Sequence, residues 1–226
     1  MKIVEIAEKE AGYLEKATNK QLDHKTANAG RNNWTKYGAW YGLNGYAWCA
    51  MFVSWCAHQA GVPEDIIPKF HSCTMVMNWF KRNRRWKPRK GYTPVKGDII
   101  LYGSGDTAVH VGIVTGSDKS RVYTVEGNTS GGSTLIANGG SVAKKSYALT
   151  YGKILGYGHP DYQEDDMTGE EIYTKLNEYL MDTPAPDWAQ EELQEAIDAG
   201  ITDGTRPMQL IPRYQAAIMA HRASKK

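Results

Sequence analysis

Residues 48–56 read Trp48-Cys49-Ala50-Met51-Phe52-Val53-Ser54-Trp55-Cys56, and their spacing decides what kind of domain the chain builds. Cys49, Phe52, Val53, Cys56, Ala57 and Ala60 recur at helical intervals and form one apolar stripe, which predicts a helix that opens at Cys49. Gly61 and Pro63 stop it. Asn44-Gly45 upstream resists helix, so Cys49 falls in the first turn. A helix N-terminus carries partial positive charge and free N–H groups, which favour a thiolate over a thiol. Cys49 is therefore a candidate nucleophile, to be weighed against the inert buried thiol that most free cysteines are. Cys56 lies two turns inside the stripe and is expected to pack. Cys73 starts a later helix with no matched partner, and Trp55 falls outside the stripe.

Working outward, Ile3, Ile6, Ala7 and Leu14 predict a helix over residues 2–16. Residues 17–47, rich in Asn, Gly, Tyr and Trp, predict a long ordered loop. Residues 72–83 predict a helix capped by Ser72. After Pro94 the period becomes two, and strands are predicted at Asp98–Gly103, Val109–Thr115 and Arg121–Glu126, with others near 141–149 and 153–158. Helices followed by antiparallel strands indicate an α+β domain over 1–159. The acidic, apolar-poor run from His159 to Asp166 marks a linker at 160–167. Helical patterns at 169–181, 188–199 and 208–223 then predict a small three-helix domain over 168–226.

A cysteine nucleophile needs a base and a group that orients the base. His110 is flanked by Val109 and Val111 on a predicted strand and shares the opposite side with Gly112 and Val114. If the following hairpin is symmetric about Asp118, Glu126 sits opposite His110 and Asn128 is its diagonal neighbour. A slip of one residue would turn Glu126 away. Either partner would fix the imidazole tautomer and stabilise the imidazolium, as in a catalytic triad. The bland alternative is a core histidine beside an unrelated glutamate. Tyr37, Tyr41, Asn44, Tyr46 and Trp48 lie just ahead of Cys49 and are candidates for a substrate groove.

Metal is disfavoured. Cys56-x-His58 and His71-x-Cys73 offer four potential ligands, but residues two apart on a helix point to different faces. Residues 37–45 contain no carboxylate to hold calcium. No metal or other cofactor is expected. The net charge of +2 is too small to argue for a nucleic-acid partner. The basic run Lys81–Lys90 reads as a solvated helix end and loop, or as a contact for an anionic polymer. No apolar run approaches the roughly 20 residues that span a bilayer, so no membrane insertion is expected. The 7 Trp and 14 Tyr against 3 Phe suit sugar or peptide contact as well as packing. Three cysteines argue against a disulfide framework.

The blocks at 48–56, Pro94-Val95-Lys96-Gly97-Asp98-Ile99-Ile100, His110-Val111-Gly112-Ile113-Val114 and Val125-Glu126-Gly127-Asn128 occur in that order. As an ordered set they resemble the CHAP family of cysteine amidohydrolases and peptidases that cut bacterial peptidoglycan. The resemblance covers about residues 1–158 and implies a papain-like fold, with a nucleophile helix packed on an antiparallel sheet that bears the base. It implies Cys49 as nucleophile, His110 as general base, and Glu126 and Asn128 as groups that orient and polarise the histidine. The acidic calcium loop of some phage members is missing, so a metal requirement is not implied.

Residues Asp187-Trp188-Ala189, Ala196–Gly204 and Pro212–Ala217 are similar to one S-layer homology unit, a family that docks on secondary wall polymers. The usual Thr-Arg-Ala-Glu run reads Pro-Arg-Tyr-Gln here, and a plain helical bundle is the alternative. Residues 1–16 carry acids inside their apolar pattern and do not form a secretory signal. Together these features lead us to expect a phage or prophage endolysin, held in the host cytoplasm before lysis and acting on the cell wall. The alternatives are an autolysin of the same chemistry, an acyl-transfer enzyme, and a non-catalytic wall-binding protein.

Overall fold

The computed structural model describes residues 1–162, 169–208 and 213–223. The chain forms two units, Met1–Tyr162 and Gln163–Lys226. In the first, four helices, α1 (Lys2–Glu10), α2 (Lys36–Tyr41), α3 (Cys49–Gln59) and α4 (Cys73–Arg82), precede most of the sheet. The strands are β1 (Trp86–Pro88), β2 (Ile99–Ser104), β3 (Thr107–Ser117), β4 (Arg121–Thr129), β5 (Ser141–Ala148) and β6 (Ile154–Gly158). They form one antiparallel sheet in the order β1-β6-β2-β3-β4-β5. The α+β class, the helix at Cys49, the Ser72 cap and all five predicted strands are present.

The stripe of α3 is buried as its spacing predicts, and Ala50, Met51 and Ser54 are buried with it. It packs with Ile3, Val4 and Ala7 of α1 and Val76, Met77 and Phe80 of α4 against Ile99, Leu101, Val111, Ile113 and Val125 of the sheet. Burial of these side chains is the main stabilising term, at about 1.5–3 kcal/mol for each large one. A second cluster, Ile100, Tyr102, Val114, Val122, Tyr147, Ile154 and Tyr157, is built from alternate strand positions. Trp55 packs edge-on against Tyr37, with centroids 5.2 Å apart.

Four expectations are corrected. The first helix ends at Glu10, because Gly12 takes a left-handed φ of 88° and Leu14 then bridges to Ser141. The loop 17–47 contains α2, capped by the Thr35 hydroxyl, which accepts from Gly38 N–H, and closed by left-handed Gly42. Trp86–Pro88, inside the basic run, forms an edge strand on β6, where proline is tolerated. The first unit runs on to Tyr162, whose hydroxyl donates to Gly97 O at 2.7 Å, so its end lies beyond 159. The remainder of the predicted linker, 163–167, lies outside the described residues.

The Pro94–Asp98 block is a structural turn. Asp98 is buried, and its carboxylate accepts from Val95 N–H, Tyr92 OH and the His159 ring. Gly97 has a φ of 94°, which a side chain would strain. The turn starts β2 in register with β3, where Tyr102 pairs with His110.

The second unit contains α5 (Gly169–Met181), α6 (Gln190–Asp198) and α7 (Arg213–Ala223). A single 3-10 turn at Asp187–Ala189 leads into α6. Gly200, at a φ of 69°, ends α6 with Ile201 N–H returning to Ala196 O. The three predicted helices are present, while 209–212 at the predicted start of the last lie outside the described residues.

Gly127 is what lets β4 approach α3. A Cβ there would fall 2.6 Å from Phe52 Cβ and 2.8 Å from Trp48 Cζ3. Gly127→Ala should therefore cost about 1–3 kcal/mol in urea unfolding. A loss below ~0.5 kcal/mol, the usual size of a surface substitution effect, would show that the contact yields freely.

Candidate active site

Cys49 opens α3 as its sequence position predicts, and it is 4% exposed. Trp48 occupies the N-cap without a side-chain cap bond, which leaves the first-turn N–H groups to other partners. Ala50 N–H donates to the Cys49 sulfur. Cys73 opens α4, and its sulfur lies 3.7 Å from that of Cys49, so the expectation that it has no partner is wrong. The Cys49 thiol is held well below its ordinary value, first by the hydrogen bond with Cys73. Burial opposes this, while the neighbouring His110 with its charge and the Ala50 N–H add to it. Cys56 is fully buried and its thiol is pushed up by burial, as suits a packing residue.

His110 is fully buried on β3. Its Nε2 hydrogen bonds to Glu126 Oε2 at 3.0 Å. Nδ1 makes no hydrogen bond and is the ring atom left for the thiol. Burial alone would favour neutral imidazole, but the Glu126 hydrogen bond and the negative charge of the neighbouring Cys49 and Glu126 outweigh it. The histidine is raised to about 9 from 6.5. The lowered thiol and the raised histidine together favour a thiolate–imidazolium pair at neutral pH.

Glu126 would be expensive to bury alone. Four donors surround it. Tyr102 OH and Thr124 OH donate to Oε1, each at 2.7 Å, and Tyr147 OH donates to Oε2 at 3.2 Å beside the histidine. Burial favours the neutral acid, yet His110, Tyr102 and Thr124 together hold the carboxyl below its ordinary value. Tyr102, Thr124 and Tyr147 were not singled out from sequence. The tight Ser104–Thr107 hairpin would by itself pair Tyr102 with Val109, and a register shift between Tyr102 and Gly103 sets Tyr102 against His110 instead.

The hairpin register differs from the symmetric guess. Asp118 opens the turn instead of forming its apex, because its carboxylate accepts from Ser120 and Arg121 N–H. An irregularity between Val114 and Gly116 follows, and the ladder then reaches Ile113↔Val125. Continued from there, Glu126 falls beside Gly112, where a Cβ would lie 2.5 Å from Glu126 Cγ. Gly112 therefore leaves the space that the glutamate crosses to reach His110. Asn128 has a φ of 54°, and its buried amide atoms hydrogen bond to no protein group, so it does not hold the histidine as expected.

The predicted groove residues separate. Tyr37 and Trp48 are fully buried and line no groove. Their rings stack at 5.3 Å, Tyr37 OH donates to Glu10, and Trp48 Nε1–H donates to Glu15. Asn44 is half-buried, and its side-chain carbonyl accepts from Thr35 and Gly45 N–H, so it secures the α2 loop. Tyr41 is half-buried and hydrogen bonds to His71 Nδ1 at 3.1 Å. Tyr46 is 67% exposed and remains available to a ligand.

Residues 40–128 match the CHAP domain. The matched span holds Cys49, His110, Glu126 and Asn128 and ends at the last of them. Among solved structures, the chain is similar to the crystal structure of Ly7917, at 13% identity and a TM-score of 0.40, covering 70% of this chain and 61% of that one. It is likewise similar to the crystal structure of Ly7917 with the hydrolyzing product of MDP, at 13% identity and 0.40, covering 72% and 65%. The chain thus spans less than two thirds of those proteins. No curated protein matches the sequence.

Glu126→Gln removes the charge that sustains the imidazolium. The pH midpoint of iodoacetamide labelling of Cys49 should rise by about one unit. Tyr147→Phe removes the longest of the four bonds and should raise the midpoint by less than about half a unit. Equal rises would contradict this ranking.

Proposed function

We propose that the chain is a cysteine-dependent peptidoglycan hydrolase. The observation that carries this reading is Cys49 at the start of α3 with the buried His110–Glu126 pair, inside a span that matches the CHAP domain. The Cys49 thiolate attacks an amide carbonyl, either in the stem or cross-bridge peptide or at the link between muramic acid and L-alanine. The Cys49 backbone N–H at the helix start steadies the oxyanion. His110 gives its proton to the leaving amine, then takes one from the water that hydrolyses the thioester. The amide gains one water overall. The Glu126 charge keeps the ring oriented throughout.

Endolysin and autolysin use the same chemistry, and we favour the endolysin, held in the host cytoplasm before lysis. We place the second unit on a secondary wall polymer. In support, Trp188 and Tyr179 are exposed there. Deletion of 163–226 should then reduce co-sedimentation with purified walls, and undiminished binding would remove this role.

The primary test is digestion of purified peptidoglycan with product masses. Wild type should release new amine termini, an N-terminal L-alanine marking amidase cleavage and any other amine endopeptidase cleavage. Cys49→Ala should abolish release. Release by that variant at the wild-type rate would refute the nucleophile. The sign of the pH dependence follows from His110, whose raised pKa keeps the proton donor present below about 9 and loses it above. Activity should fall as pH passes about 9.

A further inference from the structure

Three consecutive residues fix the first turn of α4, and each does so differently. The Ser72 hydroxyl accepts from Met75 N–H and caps the helix. The Thr74 hydroxyl exchanges two hydrogen bonds with the backbone of Ala108, both at 3.1 Å, two residues before His110 on β3. Between them, Cys73 presents its sulfur to Cys49 at 3.7 Å. The turn is thereby fastened to the strand that carries His110, and Cys73 is held against the sulfur that opens α3.

Two neighbouring thiols gain little from each other, and two thiolates repel. One thiolate and one thiol attract, because the S–H can donate to the charged sulfur. The hydrogen bond with Cys49, and then burial, push the Cys73 thiol well up, so it keeps its proton while Cys49 gives one up.

We propose that Cys73 is a positioning residue of the site, whose S–H donates to the Cys49 sulfur and holds the nucleophile and its charge in place before attack. This rests on the assignment of Cys49 as nucleophile. When Cys49 bonds to the carbonyl carbon, its electron pair moves to carbon and Cys73 retains its proton. No proton or electron is consumed at Cys73, so the role adds nothing to the stoichiometry.

The test follows iodoacetamide labelling of Cys49 against pH in the full chain, read by mass of the Cys49 peptide. Wild type is compared with Cys73→Ala, which removes the donor, and Cys73→Ser, which keeps an O–H. The midpoint should rise by about one pH unit in Cys73→Ala, the scale of one hydrogen bond to a charge. Cys73→Ser should stay within about 0.3 units of wild type. An unchanged midpoint in Cys73→Ala would overturn the proposal. So would an equal rise in both variants, which would mark Cys73 as packing. The labelling reads the sulfur without any wall substrate. A normal shift beside inert peptidoglycan would therefore sink the hydrolase reading alone.

Discussion

The hydrogen bond between His110 Nε2 and Glu126 Oε2 is the interaction on which the rest of the site depends. It places a carboxylate with no solvent access beside an imidazole with none. Such a pair survives burial only if both partners are otherwise satisfied. Tyr102, Thr124 and Tyr147 satisfy the carboxylate. The histidine is satisfied on one side alone, and the charge that Glu126 sustains there is directed at Cys49.

That arrangement explains why the unit has two cores. Cys49 belongs to the cluster between the helices and the sheet, whereas Tyr102 and Tyr147 belong to the other. His110 joins them. Two glycines make the junction fit: Gly127 admits α3 to β4, and Gly112 gives the glutamate room to cross β3. Neither position tolerates a Cβ without a shift of packed atoms. The glycines in the matched HVGIV and VEGN blocks therefore have steric duties that are separate from chemistry.

Much of this was legible in the sequence because it is local. The period of α3, the Ser72 cap and the alternation of the strands depend on residues near one another, and they put Cys49 at the start of a helix and His110 on a strand. What could not be read was non-local. The hairpin register depends on how the Asp118 carboxylate folds its turn and on an irregularity beyond Val114, which moved Glu126 from His110 to Gly112. The Cys73 contact joins two helix starts 24 residues apart, and no periodicity marks it. Aromatic richness before Cys49 suggested a groove, but Tyr37 and Trp48 were taken by the core through Glu10 and Glu15. Amphipathic rings pack as readily as they bind, and only burial separates the two uses.

The central claim is that Cys49 and His110 form a thiolate–imidazolium pair sustained by Glu126. Its most direct test is an NMR titration of His110 in protein labelled with nitrogen-15 at histidine. The account predicts that the ring stays protonated through neutral pH and titrates near 9, with that midpoint falling toward the ordinary 6.5 in Glu126→Gln. A wild-type midpoint at or below 6.5 would mean a neutral pair and would contradict the account.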